Sequence, residues 1–340
     1  MMKKAVIVDS EYGSVALCDQ QRIGDKLKAD GIDLILCHCA DEKEIIEKAA
    51  GAEMVLCTGN PPITERVLGA LPELKAVLRF GIGVNSVDLR AATRYGKIVL
   101  FMPGFCVNEL AVHATAMILA LDRNLHYYDS RIRQGLWPKA GYYMPRAPRH
   151  MILGLVGFGG SAKELYKIFR FGFGSQVKAY DPFISEEARR GYEVDFVDFE
   201  TLLAECDIVS LHLPLNADTK HIMNAETFSR MKKDSILINV SRGGLVDQAA
   251  LSEALESGRI RFAGLDVFEQ EPLGKDSPLL TKDNVILTCH SAFYGDESKE
   301  RQITWAYEMT REMLKDGMIR RNRVANTDIL PLAEKQYQIV

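Results

Sequence analysis

The sequence predicts an α/β fold built from two doubly wound parallel-sheet domains. Three observations carry that expectation. Short apolar, β-branched runs alternate with helical stretches in two separate series. A long apolar-periodic segment lies between the series, and the second opens on a glycine-rich turn from strand to helix. At 340 residues the chain is also long enough to bury two cores.

In the first series the candidate strands are residues 5–8, 34–36, 54–56, 76–78 and 97–100, with helical stretches between them, as a parallel sheet requires. From Asn108 to about Gly135, Leu110, Ala114, Met117, Ile118, Leu121 and Leu125 recur at helical spacing and predict one long helix between the domains. The second series, residues 151–156, 177–180, 208–211, 236–238, 262–265 and 285–287, gives six strands in the pattern of a doubly wound nucleotide domain. Beyond His290, a helix carrying Ile303, Ala306, Met309, Thr310 and Met313 on one face is expected to end at Gly317. The polar remainder is too short for a third domain and should fold back on the first. No internal repeat or low-complexity segment is visible.

Composition narrows the function classes. The chain is 47% apolar and 26% charged, with 42 basic and 46 acidic side chains and a net charge of −4, so no charge excess recruits nucleic acid or an anionic membrane. No apolar run reaches the ~18 residues of a membrane span, and the run at 5–8 reads as a buried first strand, not a signal peptide. Seven scattered cysteines make no disulfide framework and point to the cytoplasm. Cys37-His38-Cys39 lacks the spacing and the second pair of a closed zinc site and reads as small residues at a strand end.

The turn after residue 156 reads Gly157-Phe158-Gly159-Gly160-Ser161-Ala162. Glycine at 157 permits the tight turn, glycine at 159 lets backbone approach a pyrophosphate, and Ala162 suits close helix–strand packing. The phosphates would sit on the helix N-terminus, where free N–H groups and the macrodipole favour anions. Asp181 ends the next strand, 24 residues after Gly157, where its carboxylate can accept from the ribose hydroxyls and repel a 2′-phosphate. The turn therefore favours NAD over NADP.

Three ionisable residues then end successive strands, at the edge of an open sheet where ligands bind. Arg242 precedes Gly243-Gly244 and is placed to clamp a carboxylate. Glu271 lies in Asp266-Val-Phe-Glu-Gln-Glu271-Pro272, and His290 ends the last strand. A carboxylate beside an imidazole fixes its tautomer and makes it a proton donor near neutral pH. Singly, each also reads as a surface cation, a loop carboxylate or a core histidine. Their coincidence with a dinucleotide turn decides for chemistry.

With these residues in place the sequence resembles the D-isomer-specific 2-hydroxyacid dehydrogenases, on the branch of the phosphoglycerate, hydroxypyruvate and glyoxylate reductases. The segments at 207–215, 238–247, 264–272 and 287–290 resemble that family's signatures in order, and 79–88 is similar to the glycine loop of its substrate domain. The resemblance implies a Rossmann NAD-binding domain, residues 104–294, inserted into a flavodoxin-like substrate domain, residues 1–103 and 295–340, with the reaction in the cleft between them. It implies that Arg242 binds the substrate carboxylate, that the N–H groups of Ile82 and Gly83 hold its other oxygen, and that Thr58, Gly59, Phe80 and Gly81 complete the substrate site. His290 would protonate the 2-oxo group as hydride arrives, with Glu271 keeping the imidazole charged. Asp266 would orient the carboxamide, while Phe158, Gly160, His212, Pro214, Thr219, Val240 and Ser241 would line the cofactor. No metal is implied, and a homodimer through the nucleotide domain is.

Some positions depart from the family pattern. Many relatives carry arginine, isoleucine and glycine where this chain has Gly160, Ser161 and Ala162, so a phosphate contact is lost. Cys57-Thr-Gly-Asn60 stands where members acting on phosphorylated acids carry arginine and serine. Phe293 and Tyr294 reshape the wall after His290, and Arg146 and Arg149, in the insert at 142–149, read as solvated. A second reading stays open: an NAD(H)-sensing scaffold without turnover, like the transcriptional corepressors that resemble this family. A methyltransferase using the glycine turn leaves Arg242, Glu271 and His290 without a task.

Overall fold

The structure is a computed structural model that describes residues 2–9, 17–138 and 144–340. The chain divides into two compact units, Met1–Phe105 with Gly295–Val340, and Cys106–Tyr294.

The first unit holds a parallel sheet of β1 (Lys3–Asp9), β2 (Ile32–His38), β3 (Met54–Cys57), β4 (Ala76–Arg79) and β5 (Ile98–Leu100), in the order β2-β1-β3-β4-β5. That is the flavodoxin-like order. Val6, Val8, Val55, Val77 and Val99 are all buried in one core on the same face, as the two-residue period of a strand requires. The tail returns to this unit. Helix Asp296–Arg311 packs on helix Leu17–Ala29, and Asn326 locks onto β5 by accepting from the Val99 N–H at 2.8 Å and donating to the Lys97 carbonyl at 2.9 Å. After a short π-helical extension, Gly317 (φ 67°) ends the helix where the sequence places the stop.

The second unit holds seven parallel strands, β6 (Ile152–Val156), β7 (Gln176–Tyr180), β8 (Asp195–Phe196), β9 (Ile208–Leu211), β10 (Ile236–Asn239), β11 (Phe262–Leu265) and β12 (Val285–Leu287). Their order, β12-β11-β10-β9-β6-β7-β8, reverses direction between β6 and β9, and ligands bind at the carboxyl ends of strands at such a switch point. Helix Val107–Asp122 covers one face with Ala111, Ala114, Met117, Ile118 and Leu121, all buried. Each large side chain among them contributes about 1.5–3 kcal/mol by leaving water. Gly264 lets this helix close on the sheet, since a Cβ there would lie 3.1 Å from Met117 Cβ.

Three expectations are corrected. The long helix from Asn108 is two helices, Val107–Asp122 and Leu125–Arg133, because Asn124 adopts a left-handed conformation (φ 55°) that breaks the hydrogen-bond ladder. The sheet has a seventh strand, β8, missed because two residues carry no readable period. Arg146 is more than a solvated cation: its side chain is 38% exposed, but its guanidinium pairs with Asp207, a buried carboxylate that also accepts from the Ile152 N–H at 2.8 Å and pairs with Lys232 at 2.8 Å, so it pins the entry of β6. Arg149 is exposed, and Tyr142 and Tyr143 of the same insert lie outside the described residues. Among the described residues no helix is long and apolar enough to cross a membrane.

Candidate active site

In the second unit, the carboxyl ends of β10, β11 and β12 bring Arg242, Asp266, Glu271 and His290 into one neighbourhood. Asn239, buried at the end of β10, donates to the Arg242 carbonyl at 2.9 Å and accepts from the Ser241 N–H at 3.1 Å, while Ser241 Oγ donates to the Leu211 carbonyl at 2.8 Å. These bonds fix the turn that presents Arg242, whose Nη1 donates to the Ser241 carbonyl at 2.6 Å. The next residue, Gly243, is pressed against the Phe268 carbonyl so closely that a Cβ would collide with it. The Arg242 turn and the loop leading to Glu271 therefore hold each other in place. Burial pulls the Arg242 pKa below the usual arginine value, opposed by the negative charge of Glu271.

Glu271 uses both oxygens. Oε1 accepts from the Phe268 N–H at 2.9 Å and Oε2 lies 2.7 Å from His290 Nδ1. Burial alone would raise its pKa, but the bonds from His290 and Phe268 and the charges of His290 and Arg242 outweigh that and hold the carboxyl below its ordinary value. The Nδ1 of His290 therefore carries a proton toward Glu271, and Nε2 is the nitrogen left for chemistry. His290 itself sits at φ 55°, left-handed backbone that a histidine seldom adopts, and its N–H donates to the Asp266 carbonyl at 2.7 Å. Asp266 is 1% exposed and gathers the following loop, accepting from Thr288 Oγ1 at 2.5 Å and from the Ser291 and Ala292 N–H groups at 2.8 and 2.9 Å. Phe293 stands edge-on to the His290 ring at 6.3 Å between centroids.

The glycine turn lies at the end of β6, the switch-point strand. Gly157 has φ 89° and a Cβ there would lie 2.8 Å from the His212 carbonyl, so only glycine fits. At Gly159 an added Cβ meets nothing within 4 Å, the open approach a pyrophosphate needs, and the helix Gly160–Lys167 starts directly after it with its first N–H groups unclaimed by the ladder. Ala162 is fully buried in the helix–sheet core. Asp181 Oδ2 accepts from the Phe158 N–H at 2.9 Å and Oδ1 from the Phe183 N–H at 3.0 Å, which sets the carboxylate beside the turn with lone pairs to spare. Thr219 Oγ1 closes the loop after β9 by donating to the Pro214 carbonyl at 2.7 Å, and Val240 is buried before Ser241. The His212 ring is turned toward two hydroxyls, Ser161 Oγ at 3.0 Å and Ser210 Oγ at 2.9 Å. These residues fit an NAD cofactor: open glycine backbone at a helix start, and an acidic acceptor at the next strand.

In the first unit the glycine loop follows β4. Gly81 has φ 147°, its carbonyl accepts from the Met102 N–H at 2.9 Å, and Ile82 is 37% exposed ahead of Gly83. Phe80 is buried, with its N–H donating to the Cys57 carbonyl at 2.9 Å. Thr58 Oγ1 donates to Asp9, and Gly59 (φ 131°) lies 3.8 Å, from its Cβ position, to Arg79 Nη2. Asp9, and Arg79 at the head of the 79–88 segment, are polar groups at this edge to which the sequence reading gave no role. The Arg79 guanidinium fills the space beneath Gly81 and donates to the Phe80 carbonyl, so it props the loop. A lone polar residue ending a strand leaves no pattern by which to find it.

The chain is similar to known proteins in sequence and in fold. Residues 115–292 match the family model described as D-isomer specific 2-hydroxyacid dehydrogenase, NAD binding domain. The chain is 35% identical over 303 residues to a glyoxylate reductase of Korarchaeum cryptofilum, covering 87% of this chain and 90% of that protein. It is 34% identical over 268 residues to a D-3-phosphoglycerate dehydrogenase of Archaeoglobus fulgidus, covering 79% of this chain but only 50% of that protein. It thus spans about half the length of that longer relative. A crystal structure of D-lactate dehydrogenase from Aquifex aeolicus, complexed with NAD and lactic acid, superposes with a TM-score of 0.81 at 28% identity over 92% of this chain and 96% of that one.

Proposed function

Because the chain belongs to the D-isomer-specific 2-hydroxyacid dehydrogenases, NAD-dependent enzymes acting on the CH–OH group of their donors, we propose that it interconverts a small 2-oxo acid and the D-2-hydroxy acid through Arg242, His290 and Glu271. The observation that carries the assignment is the 2.7 Å pair between His290 Nδ1 and Glu271 Oε2 at the strand ends that also present Arg242.

Bound NADH supplies the hydride. Arg242 binds the substrate carboxylate in bidentate fashion, helped by its partial burial, which strengthens the charge pair. The N–H groups of Ile82 and Gly83 in the first unit are proposed as further substrate-binding donors. His290 Nε2 gives its proton to the 2-oxo oxygen, and Glu271 stabilises the imidazolium before transfer and keeps the ring oriented. Asp266 accepts from the carboxamide of the cofactor and at the same time holds the loop that carries His290. Asp181 accepts from the adenosine ribose. Cys57-Thr-Gly-Asn60 brings no cation of its own for a phosphate on the substrate, and the neighbouring Arg79 guanidinium is engaged under Gly81 and on the Phe80 carbonyl, which favours the unphosphorylated acids.

A homodimer through the second unit is part of the proposal. Val112, Leu125 and Ile132 on the two helices and Leu136 and Trp137 just beyond them are each about half exposed or more, apolar side chains that a second copy would cover. The six described cysteines are free thiols, in keeping with the reducing, cytoplasmic compartment proposed for the chain.

The test is NADH oxidation by the purified protein across glyoxylate, hydroxypyruvate, pyruvate, phosphohydroxypyruvate, oxaloacetate and phenylpyruvate. Turnover with an unphosphorylated member supports the proposal. Tight NADH binding with silence across the panel supports the sensing scaffold instead.

A further inference from the structure

The family's usual phosphate contact from the residue after the second glycine is not open to this chain. A Cβ on Gly160 would lie 2.9 Å from Val107 Cγ1, a half-buried branched side chain that would have to shift to admit it. The next side chain on the same first turn is Ser161, half-buried, with its hydroxyl 3.0 Å from His212 Nδ1. On the far side of the ring, His212 Nε2 lies 2.9 Å from Ser210 Oγ, and Ser210 is fully buried. The His212 backbone is fixed as well: its N–H donates to the Val156 carbonyl at 2.8 Å and its own carbonyl abuts Gly157. The ring is thus held under the turn and bonded at both nitrogens to hydroxyls.

From this geometry we infer that Ser161 is the side-chain donor to a cofactor phosphate, and that His212 is its positioning residue, acting through Ser161 without touching the cofactor. The inference rests on the NAD reading above. Burial pushes His212 down to about 4, so the ring is neutral at working pH and has one donor and one acceptor nitrogen. In one tautomer Nδ1–H donates to Ser161 Oγ, Ser210 donates to Nε2, and the Ser161 hydrogen is released outward to an anion. In the other, Ser161 spends its hydrogen on Nδ1 and shows only lone pairs to the phosphate, which repels it. A bound phosphate therefore selects the first tautomer, and the aligned chain of donors strengthens each bond.

The experiment is a double-mutant cycle on NADH dissociation constants, read by cofactor fluorescence, for wild type, Ser161→Ala, His212→Ala and the double variant. Ser161→Ala is expected to weaken NADH by about tenfold, the scale of one hydrogen bond to a charged group. The double variant should be no weaker than Ser161→Ala, because His212 acts only through that hydroxyl. A second readout, on the wild-type protein, is the 15N spectrum of labelled histidine. The His212 signals should shift toward the Nδ1–H tautomer on adding NADH, and should not do so in Ser161→Ala. This readout serves even where His212→Ala fails to fold. Full additivity in the cycle, an unchanged affinity in Ser161→Ala, or a tautomer indifferent to NADH would each overturn the inference while leaving the NAD reading intact. Failure of the wild-type protein to bind NADH would overturn both.

Discussion

Substituting alanine at Gly243 isolates the contact that couples the two proposed catalytic loops. A methyl there would run into the Phe268 carbonyl carbon and oxygen and lie 2.6 Å from the Glu269 nitrogen, and all three are backbone atoms that cannot rotate away. Overpacking of this kind costs about 1–3 kcal/mol. For a domain of this size each kcal/mol lowers Tm by about 2–4 °C, so Gly243→Ala should melt about 2–12 °C below wild type. The larger effect falls on catalysis. The clash must be relieved by parting the Arg242 turn from the segment whose Phe268 N–H holds Glu271 Oε1. A shift of about 1 Å at reacting groups costs on the order of a hundredfold in rate, so kcat should fall by about that factor while NADH binding changes little. Gly172→Ala is the control, because an added Cβ there meets nothing within 4 Å; it should melt no lower than wild type. Calorimetry and steady-state kinetics on the two variants decide. Gly243→Ala with wild-type Tm and kcat would refute the claim that this contact registers the loops.

Three further outcomes follow from the same geometry. His290→Gln should lower kcat by roughly 10²–10⁴ with the NADH dissociation constant unchanged, since in the proposed mechanism the imidazole acts on substrate; equal losses in both would contradict that role. Arg242→Ala should weaken binding of the 2-oxo acid by about 2–5 kcal/mol, seen as a KM rise of roughly 25-fold or more, and an unaltered KM would remove the arginine from the substrate site. Glu271 has a carboxyl held below its ordinary value of 4.5, so it contributes stability above that value that is lost as pH falls through its lower folded value. Glu271→Gln should therefore show a flatter loss of Tm than wild type below about pH 4.5, and parallel curves would count against a carboxylate stabilised by His290 and Phe268.

What the sequence disclosed depended on whether a local pattern existed to be read. The longer strands were legible as apolar runs because both faces of each sheet are buried, and Gly157 with Asp181 announced, through spacing alone, a tight strand-to-helix turn with a carboxylate set beside it. The break at Asn124 was hidden because the apolar stripe continues through it to Leu125, and only the left-handed backbone of one residue interrupts the helix. Arg146 looked like any exposed cation until the fold placed the buried Asp207 opposite it, 61 residues away in sequence. Glycine at 160 looked like the loss of a contact; the fold adds that a Cβ there would lie 2.9 Å from Val107 Cγ1, a residue remote in sequence. Asp9 and Arg79 each stand singly at a strand end and become meaningful only when the first sheet brings their edges together.

The most direct test of the central claim is the handedness of the product. The 2-oxo acid that turns over fastest, provided its product carbon is stereogenic, is reduced to completion with NADH, and the hydroxy acid is resolved on a chiral column. In the proposed arrangement Arg242 and His290 would hold the carboxylate and the 2-oxo oxygen on a fixed side of the hydride, which gives a single isomer, and membership of the D-isomer-specific family makes the D-2-hydroxy acid the predicted one. Recovery of the L-isomer or of a racemate would contradict it.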